Sequence, residues 1–285
     1  MDVTLLADGL GFTEGPTLLP DNRIAVVSMS RGSVLVLDRD GTVAVEYRVE
    51  GGPNGLALGP DGALYVAQNG GIWAARASAE PGVQVIRNGE VSYLATGMDA
   101  PNDLTFGPDG RLWVTDSREE VDFAHPESAL PGRVWAVDVD SGAAELMLEG
   151  PVFVNGIAFD GGRLFLTETV SGRVTAYDLT PEPRATAAPV FTIVDGHPDG
   201  LAIDDTGRLW VATTSGDRID VIGSGGVLEE RHRLETGSMP TNICCGPAGS
   251  GEFYVAAAGA GSVLRLTGPA PAPFPRRTPS SSPGA

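Results

Sequence analysis

His197-Pro-Asp-Gly-Leu-Ala-Ile-Asp-Asp-Thr-Gly-Arg-Leu-Trp-Val-Ala212 reads as two short strands closed by a tight turn. The aliphatic and aromatic residues on either side of Asp-Asp-Thr-Gly follow a period near two, and an Asp/Gly-rich turn suits an antiparallel hairpin. One polar residue, Asp199, heads the first strand. The same unit recurs along the chain, and its recurrence decides the fold. Copies begin at Glu14-Gly-Pro16 (continuing in Pro20-Asp-Asn-Arg-Ile-Ala-Val26), at Asn54-Gly-Leu-Ala-Leu-Gly-Pro-Asp-Gly-Ala-Leu-Tyr-Val66 and at Asn102-Asp-Leu-Thr-Phe-Gly-Pro-Asp-Gly-Arg-Leu-Trp-Val114. Two more begin at Asn155-Gly-Ile-Ala-Phe-Asp-Gly-Gly-Arg-Leu-Phe-Leu166 and, more weakly, at Asn242-Ile-Cys-Cys-Gly246 with Glu252-Phe-Tyr-Val255.

The heads are spaced 40 to 53 residues apart, a period that matches a four-stranded propeller blade. Third strands follow at, for instance, Gly32-Ser-Val-Leu-Val-Leu-Asp38 and Gly172-Arg-Val-Thr-Ala-Tyr-Asp178, and a fourth at Val43–Val49. No stretch has the pattern of a long amphipathic helix. The expectation is an all-β chain, a six-bladed β-propeller with four antiparallel strands per blade. The last repeat lacks a fourth strand, and Val3-Thr-Leu-Leu-Ala7 is unpaired ahead of the first head. That N-terminal strand is expected to complete the last blade and remove two sheet edges. Residues 1–267 then form a single domain, followed by a Pro/Ser-rich tail over 268–285 with the composition of a disordered segment.

Composition narrows the function. A formal charge of −18, with 19 Lys plus Arg against 37 Asp plus Glu, argues against phosphate backbones, so no nucleic-acid partner is expected. No apolar run approaches the ~18 residues of a membrane span, and the first residues lack the basic and apolar regions of a signal peptide. The expectation is a cytoplasmic protein without a membrane partner, a monomer or weak homo-oligomer acting on a small molecule. Cys244 and Cys245 are adjacent in an apolar segment, without disulfide-framework or metal-ligand spacing.

If each head opens the innermost strand of its blade, Glu14, Asn54, Asn102, Asn155, Asp199 and Asn242 gather at one mouth of the central channel. These side chains are all oxygen-bearing carboxylates and carboxamides, which suit a hard divalent cation, Ca²⁺ above Zn²⁺. Equally, Asn and Asp at repeated positions serve as turn caps. The two charged heads, Glu14 and Asp199, stand apart, because carboxylates in a narrow channel are costly unless a cation is near. The ends of the second strands return to the same mouth, bringing Asp116 and Glu168 as candidates to hydrogen-bond and orient the residues that hold the cation. The 117–131 connection is the longest insertion between repeated strands, a lid or substrate wall carrying His125. His197, two residues before Asp199, is expected to point to the same mouth if the segment is extended, and both histidines are candidate substrate contacts. Trp73, Trp113, Trp135 and Trp210 fall in strand patterns and read as blade core. No Gly-x-Ser-x-Gly elbow is present, which argues against a serine hydrolase.

The set Thr13-Glu-Gly-Pro16, Pro101-Asn-Asp103, Val154-Asn-Gly-Ile157 and Pro198-Asp-Gly-Leu-Ala-Ile-Asp204 resembles the gluconolactonase/regucalcin (senescence marker protein) family of six-bladed propellers. The resemblance implies one divalent cation, Ca²⁺ first among Mg²⁺, Mn²⁺ and Zn²⁺, held by Glu14, Asn155 and Asp199, with Asn102 contacting substrate or joining the metal shell. It implies a metal-dependent hydrolase of a lactone or related ester in which Asp199 or Asp103 accepts a proton from the attacking water. Sugar lactonases of the family usually carry Arg two residues before that Asn, where this chain has Ala100. A non-hydrolytic propeller enzyme and a binding propeller with a structural cation are the alternatives.

Overall fold

The computed structural model describes residues 1–73, 75, 77–119, 121–125, 128–179, 188–192 and 196–268, with 188–192 described by backbone alone. The Pro/Ser-rich segment expected as a tail lies, beyond Gly268, outside the described residues. Among the described residues no helix is long and apolar enough to cross a membrane.

The chain forms six four-stranded antiparallel sheets, each built from consecutive strands except the last. Their innermost strands are Thr13–Leu18, Pro53–Leu58, Pro101–Phe106, Val154–Asp160, Pro198–Ile203 and Pro240–Cys245, which define blades 1 to 6. Each innermost strand touches the next, and that of blade 6 touches that of blade 1, so the sheets stand in a closed ring. This is the six-bladed propeller expected from the repeats. In blade 6 the outermost strand is Asp2–Ala7, paired with Ser262–Thr267 in register Val3↔Leu266 and Leu5↔Leu264. The N-terminal strand therefore closes the ring as expected.

Burial falls from the channel outwards. The second strands Leu64–Gln68, Leu112–Asp116 and Leu209–Thr213 are buried throughout, whereas the outermost Leu228–Arg233 is largely exposed. Sheets pack face to face around the ring: Tyr65, Val83 and Val85 of blade 2 meet Leu104, Leu112 and Val114 of blade 3. Trp210, Ile219 and Val221 of blade 5 meet Ile243, Phe253 and Val255 of blade 6. Each such aliphatic or aromatic side chain contributes about 1.5–3 kcal/mol on burial, so the hydrophobic core lies between blades. The channel is left for polar groups.

Candidate functional site

The site begins with a bulge. In blade 2, Pro53 pairs with Gln68 but the next pair is Leu56↔Val66, so Asn54 and Gly55 oppose a single residue. The same shift follows Pro101, Val154 and Pro198, and an equivalent one follows Glu14. A bulge bends its strand and re-aims side chains, and here it recurs at the head of the innermost strands. The register places Glu14, Asn54, Asn102, Asn155 and Asp199 at one level, all buried.

Blade 6 departs from the sequence reading. Its first pair is Pro240↔Ala257 and its next is Asn242↔Ala256, which puts Thr241, not Asn242, at the head level. The Thr241 hydroxyl is spent on the Thr13 carbonyl at 2.9 Å. Asn242 stands one level deeper, where blade 3 has Asp103 and the other four blades have Gly15, Gly55, Gly156 and Gly200. Blades 3 and 6 face each other across the ring, and Asn242 Nδ2 donates to Asp103 Oδ2 at 3.3 Å. This bridge spans the channel. The glycines make room for it, since a Cβ on Gly55 would lie 2.6 Å from Asp103 Oδ1 and one on Gly200 2.1 Å from Asn242 Cγ. Beyond the bridge, on the side away from the heads, is a cavity of about 410 Å³ lined by Asp103, Asn242, Thr17, Phe106, Phe159 and Cys244 among others.

Hydroxyls from one blade pin the heads of the next. Thr115 and Ser117 of blade 3 donate to the Asn155 and Val154 carbonyls at 2.6 and 2.7 Å. Thr167 and Thr169 of blade 4 repeat the pattern on the Asp199 and Pro198 carbonyls at 2.6 and 2.8 Å. Asn155 Nδ2 also donates to Thr169 Oγ1 at 3.1 Å, and Asn102 Nδ2 to Ser117 Oγ at 3.2 Å. These bonds fix the positions of Asn102, Asn155 and Asp199.

Electrostatically the channel holds three carboxylates in one another's field. Burial, then the charges of Asp199 and Asp103, push the Glu14 carboxyl well above the ordinary range. Asp199 is raised in the same way by burial and by Asp103, against partial relief from the Asn155 carboxamide and the Gly200 amide. Burial lifts Asp103 to about 6, although Leu104 N–H and Asn242 bond to it. Asp199 Oδ1 and Asn54 Oδ1 are buried with no hydrogen-bond partner. Two orphaned acceptors beside crowded carboxylates fit an oxygen-seeking cation, whose charge would reverse the repulsion. Among the described residues no three His, Cys, Asp or Glu side chains converge as a metal site, so a cation here would rely on Glu14 and Asp199 together with carboxamide oxygens.

The remaining expected residues divide. Asp116 is fully buried and satisfied: it accepts the N–H groups of Ala100 (2.8 Å), Asp99 and Arg118 (3.1 Å each) and Trp135 Nε1 (3.2 Å). It anchors the segment leading into Asn102. Glu168 accepts from Thr175 Oγ1 at 2.7 Å within its own blade; no hydrogen bond links either carboxylate to Glu14, Asn155 or Asp199. His197 is half-buried, with Nδ1 3.1 Å from Ser215 Oγ. His125 is exposed and its Nδ1 lies 2.8 Å from Asp122 Oδ2 in the same insertion.

Sequence reading missed a group of rings at the mouth. Trp113, Trp135 and Trp210 occupy strands, but Trp73 lies in the loop between Leu64–Gln68 and Gly82–Arg87. Its ring meets Phe153 edge-on at 5.6 Å between centroids. Phe153 in turn lies 6.2 Å from Phe123 of the insertion, and Phe123 lies 4.8 Å from the His197 ring. Phe153 precedes Val154 with a φ of 49°, a left-handed conformation that no alternation of residues reveals.

The family profile described as the SMP-30/Gluconolactonase/LRE-like region matches residues 12–259. An L-arabinolactonase of Azospirillum brasilense is 29% identical over 143 residues, covering 48% of this chain and 46% of that protein. The chain spans about half the length, or less, of the curated relatives it matches. A gluconolactonase structure from Xanthomonas campestris superposes with a TM-score of 0.77 at 21% identity, covering 93% of this chain and 89% of that one. A structure from Agrobacterium tumefaciens described as the calcium-binding protein regucalcin gives a TM-score of 0.74 at 18% identity over 92% of each chain. At these identities the superpositions speak to the fold.

Proposed function

Because the chain belongs to the SMP-30/gluconolactonase/LRE-like family, we propose that it is a divalent-cation-dependent hydrolase of a lactone or related ester. The observation that carries this reading is the meeting of Glu14, Asn155 and Asp199 at one end of the channel, with Asp199 Oδ1 buried and unpartnered. Those three residues would hold the cation, Ca²⁺ before Mg²⁺, Mn²⁺ or Zn²⁺. When bound, such a cation supplies Lewis-acid polarisation of a carbonyl and acidifies water. The similarity to an arabinolactonase and the shared fold with a calcium-binding regucalcin support the reading.

The chain's own groups then have distinct tasks. Asn102, tethered to Ser117 and placed at the head level, orients the substrate. Asp199, at the head level beside the place where the cation would sit, takes the proton from the attacking water. Asp103 has both carboxylate oxygens engaged, by Leu104 N–H at 2.8 Å and by Asn242, and serves as the alternative acceptor one level deeper. His197 lines the entrance, and His125 contacts substrate only through the insertion. The working picture is one domain over residues 1–267, monomeric or weakly self-associating, acting in the cytoplasm on a small molecule without nucleic-acid or membrane partners.

Hydrolysis of a panel of five- and six-membered lactones, followed by acid release with and without chelator, tests the proposal. The expected result is turnover that chelation abolishes and added Ca²⁺ or Mn²⁺ restores, with Asp199→Ala at least ~100-fold slower. Chelator-insensitive turnover, or full activity in Asp199→Ala, overturns it.

A further inference from the structure

We propose that Trp73, Phe123, Phe153 and His197 form a subsite at the channel mouth that binds a flat apolar substituent, directing the enzyme towards aryl-substituted lactones or esters. The inference rests on the hydrolase reading of the channel site. Its starting point is position. The four rings come from blades 2, 3, 4 and 5 and form one continuous line, Trp73 to Phe153 at 5.6 Å, Phe153 to Phe123 at 6.2 Å and Phe123 to His197 at 4.8 Å. Phe153 is two residues from Asn155, and His197 two residues from Asp199. Two of the rings therefore stand immediately ahead of the strands that carry two of the residues assigned to the cation.

Phe153 is nearly buried, with 9% of its surface exposed, and backs the other three rings, which are not blade core. Trp113 and Trp210, which are, retain 2% of their surface. Phe123 is 50% exposed, and Ile72 beside Trp73 is 38% exposed; Trp73 and His197 are half-buried. Trp73 and Phe153 meet edge to face, and both Phe123 contacts are tilted; the exposed Phe123 and the half-buried Trp73 and His197 keep ring surface for a guest to stack on. Apolar surface kept accessible beside a polar, buried reaction centre is the usual division of labour in a small-molecule site: the apolar wall binds and the polar groups orient.

The polar side of the rim points the same way. Arg118 and Arg133 are committed to Asp99 and Glu149. Ala100, which leads into Asn102, is fully buried with its N–H on Asp116, so this position presents no side-chain donor to grip sugar hydroxyls. An apolar guest gains contact here without losing hydrogen bonds, whereas a polyhydroxylated one gives up hydration for little return.

The test separates the subsite from the chemistry. γ-Phenyl-, γ-alkyl- and polyhydroxylated γ-butyrolactones are compared as substrates of the full-length, Ca²⁺-supplemented protein, and binding of the phenyl γ-lactam, which resists hydrolysis, is read by tryptophan fluorescence. The expected result is a kcat/KM at least ~10-fold higher for the phenyl lactone than for the polyhydroxylated one. Phe123→Ala and Trp73→Ala should erase most of that preference through KM, and the lactam should quench fluorescence in the native chain but not in Trp73→Phe, which keeps the preference. Phe123 is exposed on a loop, so its removal tests the subsite without testing the fold. Lactam quenching without hydrolysis of any lactone sustains the subsite and overturns the hydrolase. Hydrolysis without quenching, or with equal or greater kcat/KM for the polyhydroxylated lactone, overturns the subsite and leaves the hydrolase standing. Neither hydrolysis nor quenching overturns both.

Discussion

Asp199 and Asp103 are buried carboxylates in the same channel, and their hydrogen bonds separate them. Asp199 keeps one oxygen without a donor; Asp103 has both oxygens occupied. Replacing Asp199 by Asn should therefore abolish calorimetric cation binding, and Asn54→Ala, which removes the other orphaned acceptor, should weaken it about tenfold, some 1.4 kcal/mol. An unchanged affinity in Asn54→Ala would show that its carboxamide stands outside the cation's reach. Protons report on the same crowding. Glu14, Asp103 and Asp199 all titrate above their unfolded range, with Asp103 at about 6. Between ~4, where unfolded carboxyls titrate, and about 6 the folded cation-free chain holds more protons than the unfolded one, so its stability falls as pH rises. Thermal unfolding with chelator should show a lower Tm at pH 7.5 than at pH 5 from this source, and Ca²⁺ should raise Tm far more at pH 7.5. A Ca²⁺ shift that is equal at the two pH values would sink this account. Most of the residues at this level were legible, because carboxylates stand out among Asn heads. Asn242 was misplaced by one position because Thr241 and Asn242 are both polar and only the bulge decides which faces the head ring.

At the scale of the strand, the bulge, the glycine behind it and the cross-blade hydroxyl act together. Thr167→Val removes the donor to the Asp199 carbonyl and the acceptor for Gly156 N–H. It should lower the unfolding free energy from denaturant titration by about 1–3 kcal/mol and weaken cation binding, because Asp199 loses its fixed backbone. Gly200→Ala sets a methyl carbon against Asn242 and should destabilise by about 1–3 kcal/mol. Combined with Asn242→Gly, which removes the obstruction, it should recover much of that loss, and a purely additive double mutant would show that the clash is not the cause. Strand type was readable from period-two alternation and Asp/Gly turns. Trp73 was not, since a lone aromatic in an apolar run looks the same in a loop as in a strand until its neighbours in space are known. Phe123 and Phe153 gave no periodic signal, because their contacts join blades that are distant in sequence.

Across the whole molecule, the repeat made the architecture legible: six copies at blade spacing, with one orphan strand at the start and one missing at the end, leave a closed ring as the economical solution. That closure is also a weak point. Removing residues 1–8 deletes the partner of Ser262–Thr267 and leaves an unpaired edge, which should lower Tm by roughly 10 °C and promote aggregation detectable by light scattering. The thiols of Cys244 and Cys245 lie within blade 6, half-buried beside the cavity, and burial raises both, Cys245 to about 12, so they should react only slowly with thiol reagents at neutral pH. The bridge from Asp103 to Asn242 has a kinetic corollary. A propeller channel pierced from face to face would permit one-way traffic, but a carboxylate and a carboxamide locked across its axis turn this one into a well with a single door. On the hydrolase reading proposed above, whatever enters past Trp73 and Phe123 leaves the same way, so spent product would compete with arriving substrate for the doorway and slow turnover as it accumulates.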